Sequence, residues 1–223
     1  MYREEFEETL INSETLENMT KDAAFRLLSR DVAMMIGYGQ ENPHHCYDLW
    51  EHSIKTMQGL ACDNDNLLRI AAFFHDIGKP SVARTKDGRT VYYGHAQKSV
   101  EIANGLLNKL GYTDYEIEQI LFYIGHHDDF ISWVLPQEEY DHKNKYLIEI
   151  TEVNLETHIQ KTELREHFAI KEENWFSLLD LCKADVKAQS DEVWQNGKLV
   201  DTKVHKLAKI ELLTETLHRI MEK

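Results

Sequence analysis

Only three cysteines, Cys46, Cys62 and Cys182, occur in the 223 residues, and no two form a Cys-x-x-Cys pair. An odd, scattered set supports neither a disulfide framework nor a thiolate zinc site, so a reducing, cytoplasmic setting is expected. Proline is equally scarce at three, and glycine numbers ten. Collagen-like, low-complexity and glycine-rich β architectures are thereby disfavoured. No stretch approaches the roughly 20 apolar residues that span a bilayer, and the start Met1-Tyr2-Arg3-Glu4-Glu5 lacks the basic-then-apolar order of an export signal. Neither export nor membrane insertion is expected. Positive charge is also in deficit: 25 Lys and Arg face 39 Asp and Glu, for a formal charge of -14. Such a field disfavours duplex DNA and anionic membrane as partners.

What the chain does have is helical periodicity. Apolar residues recur at three- and four-residue spacing over 20–36, 46–61, 65–77, 95–110, 114–127, 136–150, 154–169, 173–189 and 203–222. These predict an all-α fold in a single multi-helix domain, 1–223. One interruption has strand character: residues 84–93, where Asp87-Gly88 supplies a tight turn for a short ribbon. Helix 65–77 has almost no polar face and is expected to be central. The C-terminal stripe Val204, Leu207, Ile210, Leu213, Leu217 and Ile220 is expected to pack on its own domain, with a homodimer contact as the alternative. The acidic cluster Glu4, Glu5, Glu7 and Glu8 reads as a solvated helix face.

The apolar helix 65–77 nevertheless carries His75-Asp76 at its end, and a buried carboxylate needs partners. A His-Asp pair alone is uninformative, since twelve histidines supply about one by chance. The weight lies in other groups on inward-facing helical positions. Asp48 and His52 lie four apart on a face shared with His45, an arrangement in which the carboxylate could orient the imidazole from a second shell. His127 continues the stripe Ile117, Ile120 and Ile124, whereas His126 projects beside Phe122 and Tyr123. His127 is the better candidate ligand and His126 the alternate. Asp185 shares a side with Leu178, Leu181 and Cys182, while Asp180 points away; His95 opens the helix after Gly94. Imidazoles mixed with carboxylates suit a divalent ion such as Zn, Mn, Fe, Co or Ni, and leave room for bound water. The remaining histidines, His44, His142, His158, His167, His205 and His218, are assigned no role.

These residues carry a resemblance. The run from Gln40 to Ser53, with His45, Asp48 and His52, followed by Ala71-Ala72-Phe73-Phe74-His75-Asp76-Ile77-Gly78-Lys79-Pro80, resembles the HD superfamily of metal-dependent phosphohydrolases. It is most similar to the HD domain attached to bacterial tRNA nucleotidyltransferases, the CCA-adding enzymes, without their nucleotidyltransferase head. Tyr93-Gly94-His95, Ile124-Gly125-His126-His127-Asp128 and Leu181-Cys182-Lys183-Ala184-Asp185 resemble that group's later motifs. The resemblance makes 36–128 and 173–189 the family core, 129–172 a variable insertion and 203–223 a C-terminal helix. It implies that His52, His75, Asp76 and Asp185 hold one metal, and that Asp76 bridges to a second held by His95 and His127. One or two ions per chain are implied, with Mg added to the candidate metals.

The expected chemistry follows from such ligands. A divalent ion lowers the pKa of bound water from 15.7 toward about 7 and so supplies hydroxide to attack phosphorus. Asp76 and Lys79 are the catalytic candidates, with Lys79 placed to contact a phosphate. Lys79, Arg84, Arg89 and Lys98 are the candidate substrate-binding cations. The acidic body favours a small phosphorylated substrate, a nucleotide first and an RNA end second. Two other readings compete: a nucleotide- or RNA-binding module without turnover, and a di-iron oxygenase on the same scaffold.

Overall fold

The computed structural model describes residues 3–12, 29–41, 44–61, 65–136, 146–195 and 198–223. Its elements, in chain order, are α1 (Arg3–Asn12), α2 (Arg30–Met35), α3 (Leu49–Gln58), α4 (Asn66–Phe74), α5 (Lys79–Val82), β1 (Arg84–Lys86) and β2 (Arg89–Val91). There follow α6 (His95–Leu110), α7 (Asp114–His126), β3 (Trp133–Val134), β4 (Ile148–Glu149), α8 (Glu152–Glu163), α9 (Glu172–Lys187), β5 (Glu192–Gln195), β6 (Lys198–Asp201) and α10 (Thr202–Met221). The chain is all-α, and among the described residues the strands form two-stranded ribbons only.

Helix α4 is the centre of the domain. Ile70 through Phe74 are buried without interruption, and α4 packs against α1, α3, α7 and α9. Its neighbours meet it with aromatic rings: Phe6 stacks on Phe74 at 5.8 Å, and Trp50 meets Phe73 edge-on at 5.4 Å. Local chemistry sets the helix starts. The side chains of Asp48, Asp65 and Asp201 accept the first free N–H groups of α3, α4 and α10, and Thr113 with Glu116 forms a capping box on α7. Helix α4 ends at His75, and the turn through Asp76 and Gly78 leads into α5, where Pro80 fits because its missing N–H is not needed in a first helical turn.

Gly78 explains how two segments come close enough to share a site. Its N–H donates to Ser99 Oγ at 2.9 Å, and a Cβ there would lie 2.6 Å from both the His95 carbonyl oxygen and the Ser99 nitrogen. Only glycine lets the turn after His75-Asp76 settle against the first turn of α6. Gly94, at φ +81°, takes the left-handed conformation that sends the chain into α6.

Several expectations are corrected. The ribbon at 84–93 forms as an antiparallel hairpin, but two further ribbons exist: β3 with β4, parallel, and β5 with β6, antiparallel. The end of the expected helix 136–150 is instead strand β4, and residues 137–145 lie outside the described residues. So do 20–28 of the helix expected over 20–36, and Cys62. Glu7 is not simply solvated: it accepts from Arg3 at 2.8 Å and from the Tyr112 hydroxyl at 2.7 Å. On α10, Ile210, Leu213 and Leu217 pack on the domain as expected, while Val204 remains exposed.

Candidate metal centre

Four histidines from separate segments converge, and one device orients them all. His52 Nδ1 faces the Ala188 carbonyl at 3.3 Å, His75 Nδ1 that of Ala72 at 2.7 Å, His95 Nδ1 that of Tyr92 at 3.0 Å and His127 Nδ1 that of Ile124 at 2.7 Å. A carbonyl can only accept, so each Nδ1 carries the hydrogen, and each Nε2 is left as the atom that turns to the cluster.

All four Nε2 atoms surround Asp76. Oδ2 lies 3.1 Å from His75 and 3.6 Å from His52, while Oδ1 lies 3.1 Å from His95 and 3.6 Å from His127. Asp185 Oδ1 completes the first side, 2.9 Å from His52 and 3.7 Å from His75. Asp128 completes the second: its carboxylate is 2.9 Å from His95 and 3.5 Å from His127. Two groups, His52 with His75 and Asp76, and Asp76 with His95 and His127, bring their ligand atoms within 4.8 Å of one another and could each hold a metal ion.

The protein groups alone do not satisfy this cluster. His52 Nε2, His75 Nε2 and Asp76 Oδ1 are buried and lack a hydrogen-bond partner of acceptable geometry, despite the short approaches. Buried polar atoms left in this state are costly unless a cation takes their lone pairs. A divalent ion fits this donor set of imidazole nitrogens and carboxylate oxygens.

The electrostatics agree. Burial alone would lower His75, but the Asp76 and Asp185 carboxylates outweigh it and push the ring up to about 10. His95 is likewise pushed up to about 10, by Asp128 and Asp76 against burial. Burial would raise Asp76, yet Lys79 and His75 hold it well below the usual carboxylate range. Asp185 is held similarly low by His52 and His75, again against burial. The site is thus a concentration of negative charge that attracts protons or metal cations to the same Nε2 atoms.

Other expected residues take different places. Asp48 does not orient His52: its oxygens accept from the Glu51 and Gly37 N–H groups at 2.8 and 2.9 Å, as a helix cap, and the orienting acceptor is the Ala188 carbonyl. His45 meets the His52 ring edge-on at 4.8 Å, and burial and then Lys79 push it down to about 3, so it packs as a neutral ring. His126 turns away from the cluster and bonds Asp129 at 2.7 Å and Glu166 at 3.2 Å. Lys79 is buried beneath the site rather than reaching outward: its Nζ lies 2.6 Å from Asp76 Oδ2 and donates to Gln40 Oε1 at 2.8 Å.

A cavity of about 900 Å³ opens onto the cluster. Asp76, His95, His127, Asp128 and Asp185 line one side of it, and Lys79 is also on its wall. Arg84, Arg89 and Lys98 are not among its lining residues; Arg84 lies over the Tyr93 ring, and exposed Lys98 pairs with Glu101 at 2.8 Å. The other lysines on its wall come from α10, as Lys206 and Lys209, and the rings of His205 and of His44, from the loop before α3, line it as well. Sequence reasoning missed Asp128 although His127-Asp128 was in view, and it gave His44 and His205 no role.

Fold and site together define an all-α domain organised around a buried histidine–aspartate centre capable of holding divalent metal. The chain belongs to the HD domain family, which residues 44–167 match. That span runs through most of the segment expected to be an insertion and stops short of Asp185. The chain is 31% identical over 104 residues to the CC-adding tRNA nucleotidyltransferase of Thermus thermophilus, covering 44% of this chain and 24% of that protein. It is 37% identical over 79 residues to the A-adding tRNA nucleotidyltransferase of Deinococcus radiodurans, covering 33% of this chain and 18% of the relative. The matches therefore span about a quarter or less of these relatives' length. No described helix is long and apolar enough to cross a membrane.

Proposed function

We propose that this protein is a metal-dependent phosphohydrolase that cleaves a phosphate ester of a nucleotide or of an RNA end. The observation that carries this reading is the convergence of four Nε2 atoms, each fixed by a backbone carbonyl on its own Nδ1, around the two oxygens of Asp76. His52, His75, Asp76 and Asp185 would hold one ion, and Asp76, His95, His127 and Asp128 a second. Bound there, such an ion supplies Lewis acidity toward a phosphoryl oxygen and acidifies water. Asp76 presents one oxygen to each side, so its carboxylate aligns both halves of the site. Lys79, hydrogen-bonded to Gln40, keeps that carboxylate ionised and fixed. Burial excludes bulk water from the imidazoles and strengthens every charge interaction with a bound phosphate.

The cavity volume supports a substrate larger than free phosphate, since about 300–1,000 Å³ is the range of pockets that enclose whole small ligands. The formal charge of -14 favours a short substrate over a polymer. Nucleotide or RNA chemistry is drawn from the relatives, whose names state that they act as tRNA nucleotidyltransferases. A test runs purified wild type and His75→Ala side by side, with elemental analysis and a panel of phosphomonoesters, cyclic nucleotides and short RNAs, adding Mn, Co, Ni, Mg and Fe singly. Hydrolysis by wild type that disappears in His75→Ala supports the proposal. Bound metal with no turnover of any ester would replace it with a binding module.

A further inference from the structure

We infer that α10 supplies a second anion-binding anchor, centred on Lys206 and aided by Lys209, which selects nucleotide esters carrying another phosphate beside the one hydrolysed. This rests on the phosphohydrolase reading of the site. It concerns a helix outside the residues that match the family, which end at 167.

Lys206 is linked to the metal centre through a single side chain. Its Nζ donates to Gln189 Oε1 at 2.5 Å, and the same amide donates from Nε2 to Asp185 Oδ2 at 3.2 Å. One amide therefore separates the ammonium from a carboxylate of the His52–His75 group. The same ammonium lies 3.5 Å from His44 Nδ1. Burial and then Lys206 hold His44 below its ordinary range, so both hydrogen-bonding neighbours are uncharged; Asp185 acts on the lysine from beyond Gln189, and burial, aided by Lys209 and Lys203, outweighs it and holds Lys206 below the usual lysine range. Lys209, one turn further along, lines the same cavity and donates to the Ile131 carbonyl at 3.2 Å. The α10 wall thus brings two lysines into the cavity that the carboxylates of the metal centre also line.

Placement is held by several tethers. The Ser190 N–H donates to the His44 carbonyl at 2.8 Å, and Thr202 Oγ1 lies 3.4 Å from His44 Nδ1. Lys203 bonds the Lys187 carbonyl at 3.0 Å. Beyond the lysines, Ile210 and Leu213 continue the cavity wall and offer an apolar surface for a base or sugar. A phosphate held at the histidines would leave most of the 900 Å³ unfilled, and the rest of the cavity combines a cation pair with an apolar face. That is the complement of a nucleotide's remaining half: a second phosphate, free or in a phosphodiester, next to a ring.

The test measures binding to the Mn-loaded protein by titration calorimetry with three probes: uridine 3′-monophosphate, uridine 3′,5′-bisphosphate and a uridine dinucleotide 3′-phosphate. Wild type should prefer the bisphosphate, the dinucleotide or both over the monophosphate by at least tenfold. In Lys206→Ala/Lys209→Ala that ratio should fall to within twofold, and Lys206→Arg/Lys209→Arg should restore most of it. Preference for the bisphosphate alone identifies a free phosphate as the recognised group, and preference for both extends it to an RNA end. Equal affinity for all three probes in wild type, no binding of any probe, or a ratio unchanged in the alanine variant overturns the inference. Failure of the phosphohydrolase reading shows differently, as an intact probe preference with no hydrolysis of any ester.

Discussion

Gly78 and Ser99 are in direct contact: the Gly78 N–H donates to the Ser99 side-chain Oγ at 2.9 Å, and a Cβ at position 78 would lie 2.6 Å from the Ser99 backbone nitrogen. The atoms in the way are main chain and cannot rotate aside. Gly78→Ala should therefore force the His75-Asp76 turn away from α6 and destabilise the protein by about 1–3 kcal/mol, in the manner of an overpacked core. It should also weaken metal binding, because His75 and His95 lie on opposite sides of that contact. Thermal melts with and without Mn check both effects.

His126 and His127 are adjacent in sequence and opposite in consequence. His127→Ala should lower the metal content per chain, because its Nε2 faces Asp76 and Asp128. His126→Ala should leave metal content unchanged and instead cost roughly 1–3 kcal/mol by leaving polar atoms of its Asp129 and Glu166 network unpaired. Elemental analysis and denaturant unfolding of the two variants separate the roles.

A bound ion that favours the native state must raise its stability. At a free Mn concentration about 100 times the dissociation constant, the gain should be about 2.7 kcal/mol, visible as a higher melting temperature that EDTA reverses. Asp76→Asn should abolish the shift, because an amide removes the charge that both halves of the centre share. An equal Mn shift in Asp76→Asn would place the ion elsewhere.

The Arg3–Glu116 pair joins α1 to α7 with contacts of 2.6 and 2.9 Å. Hydrogen bonds from Arg3, helped by Thr113, pull Glu116 down to about 2 against the opposing effect of burial. A depressed carboxylate stabilises the fold above its unfolded pKa, near 4.3, and loses that contribution as pH falls toward 2. Because both groups are partly exposed, the effect should be at most about 1 kcal/mol. Arg3→Met should flatten the stability profile between pH 5 and 2 and leave the Mn response intact.

Much of this was readable beforehand, for identifiable reasons. Helix α4 stood out because Ile70 to Phe74 carries no polar side chain, a pattern only a central helix accommodates. His52, His127 and Asp185 were read as inward-facing along their helices and His75 and His95 as lying at helix ends; the structure puts His75 and His127 in the turns just beyond α4 and α7. The orienting groups were not legible, because they are main-chain carbonyls, which every residue possesses; for His52, Asp48 was expected where the Ala188 carbonyl stands. The β5–β6 ribbon was missed despite an Asn196-Gly197 pair, the strongest short hairpin signal, set between Val193-Trp194 and Leu199-Val200. The end of the expected 136–150 helix went to strand β4 because short apolar runs such as Leu147-Ile148 suit either periodicity and pairing with Trp133-Val134 decides. Lys206 and Lys209 reach the cavity only through tertiary packing, which spacing along the chain does not encode.

The main-chain acceptors behind the four rings have one more implication. Ala72, Ile124 and Tyr92 each lie three positions before the histidine they steer, whereas His52 takes its direction from Ala188, at the far end of the chain's order. Three of the imidazoles are therefore aimed by their own turns as soon as those turns form, but the fourth waits for α9 to dock. Maturation of the centre should be sequential, with the Asp76–His95–His127 pocket competent before the His52 side is assembled.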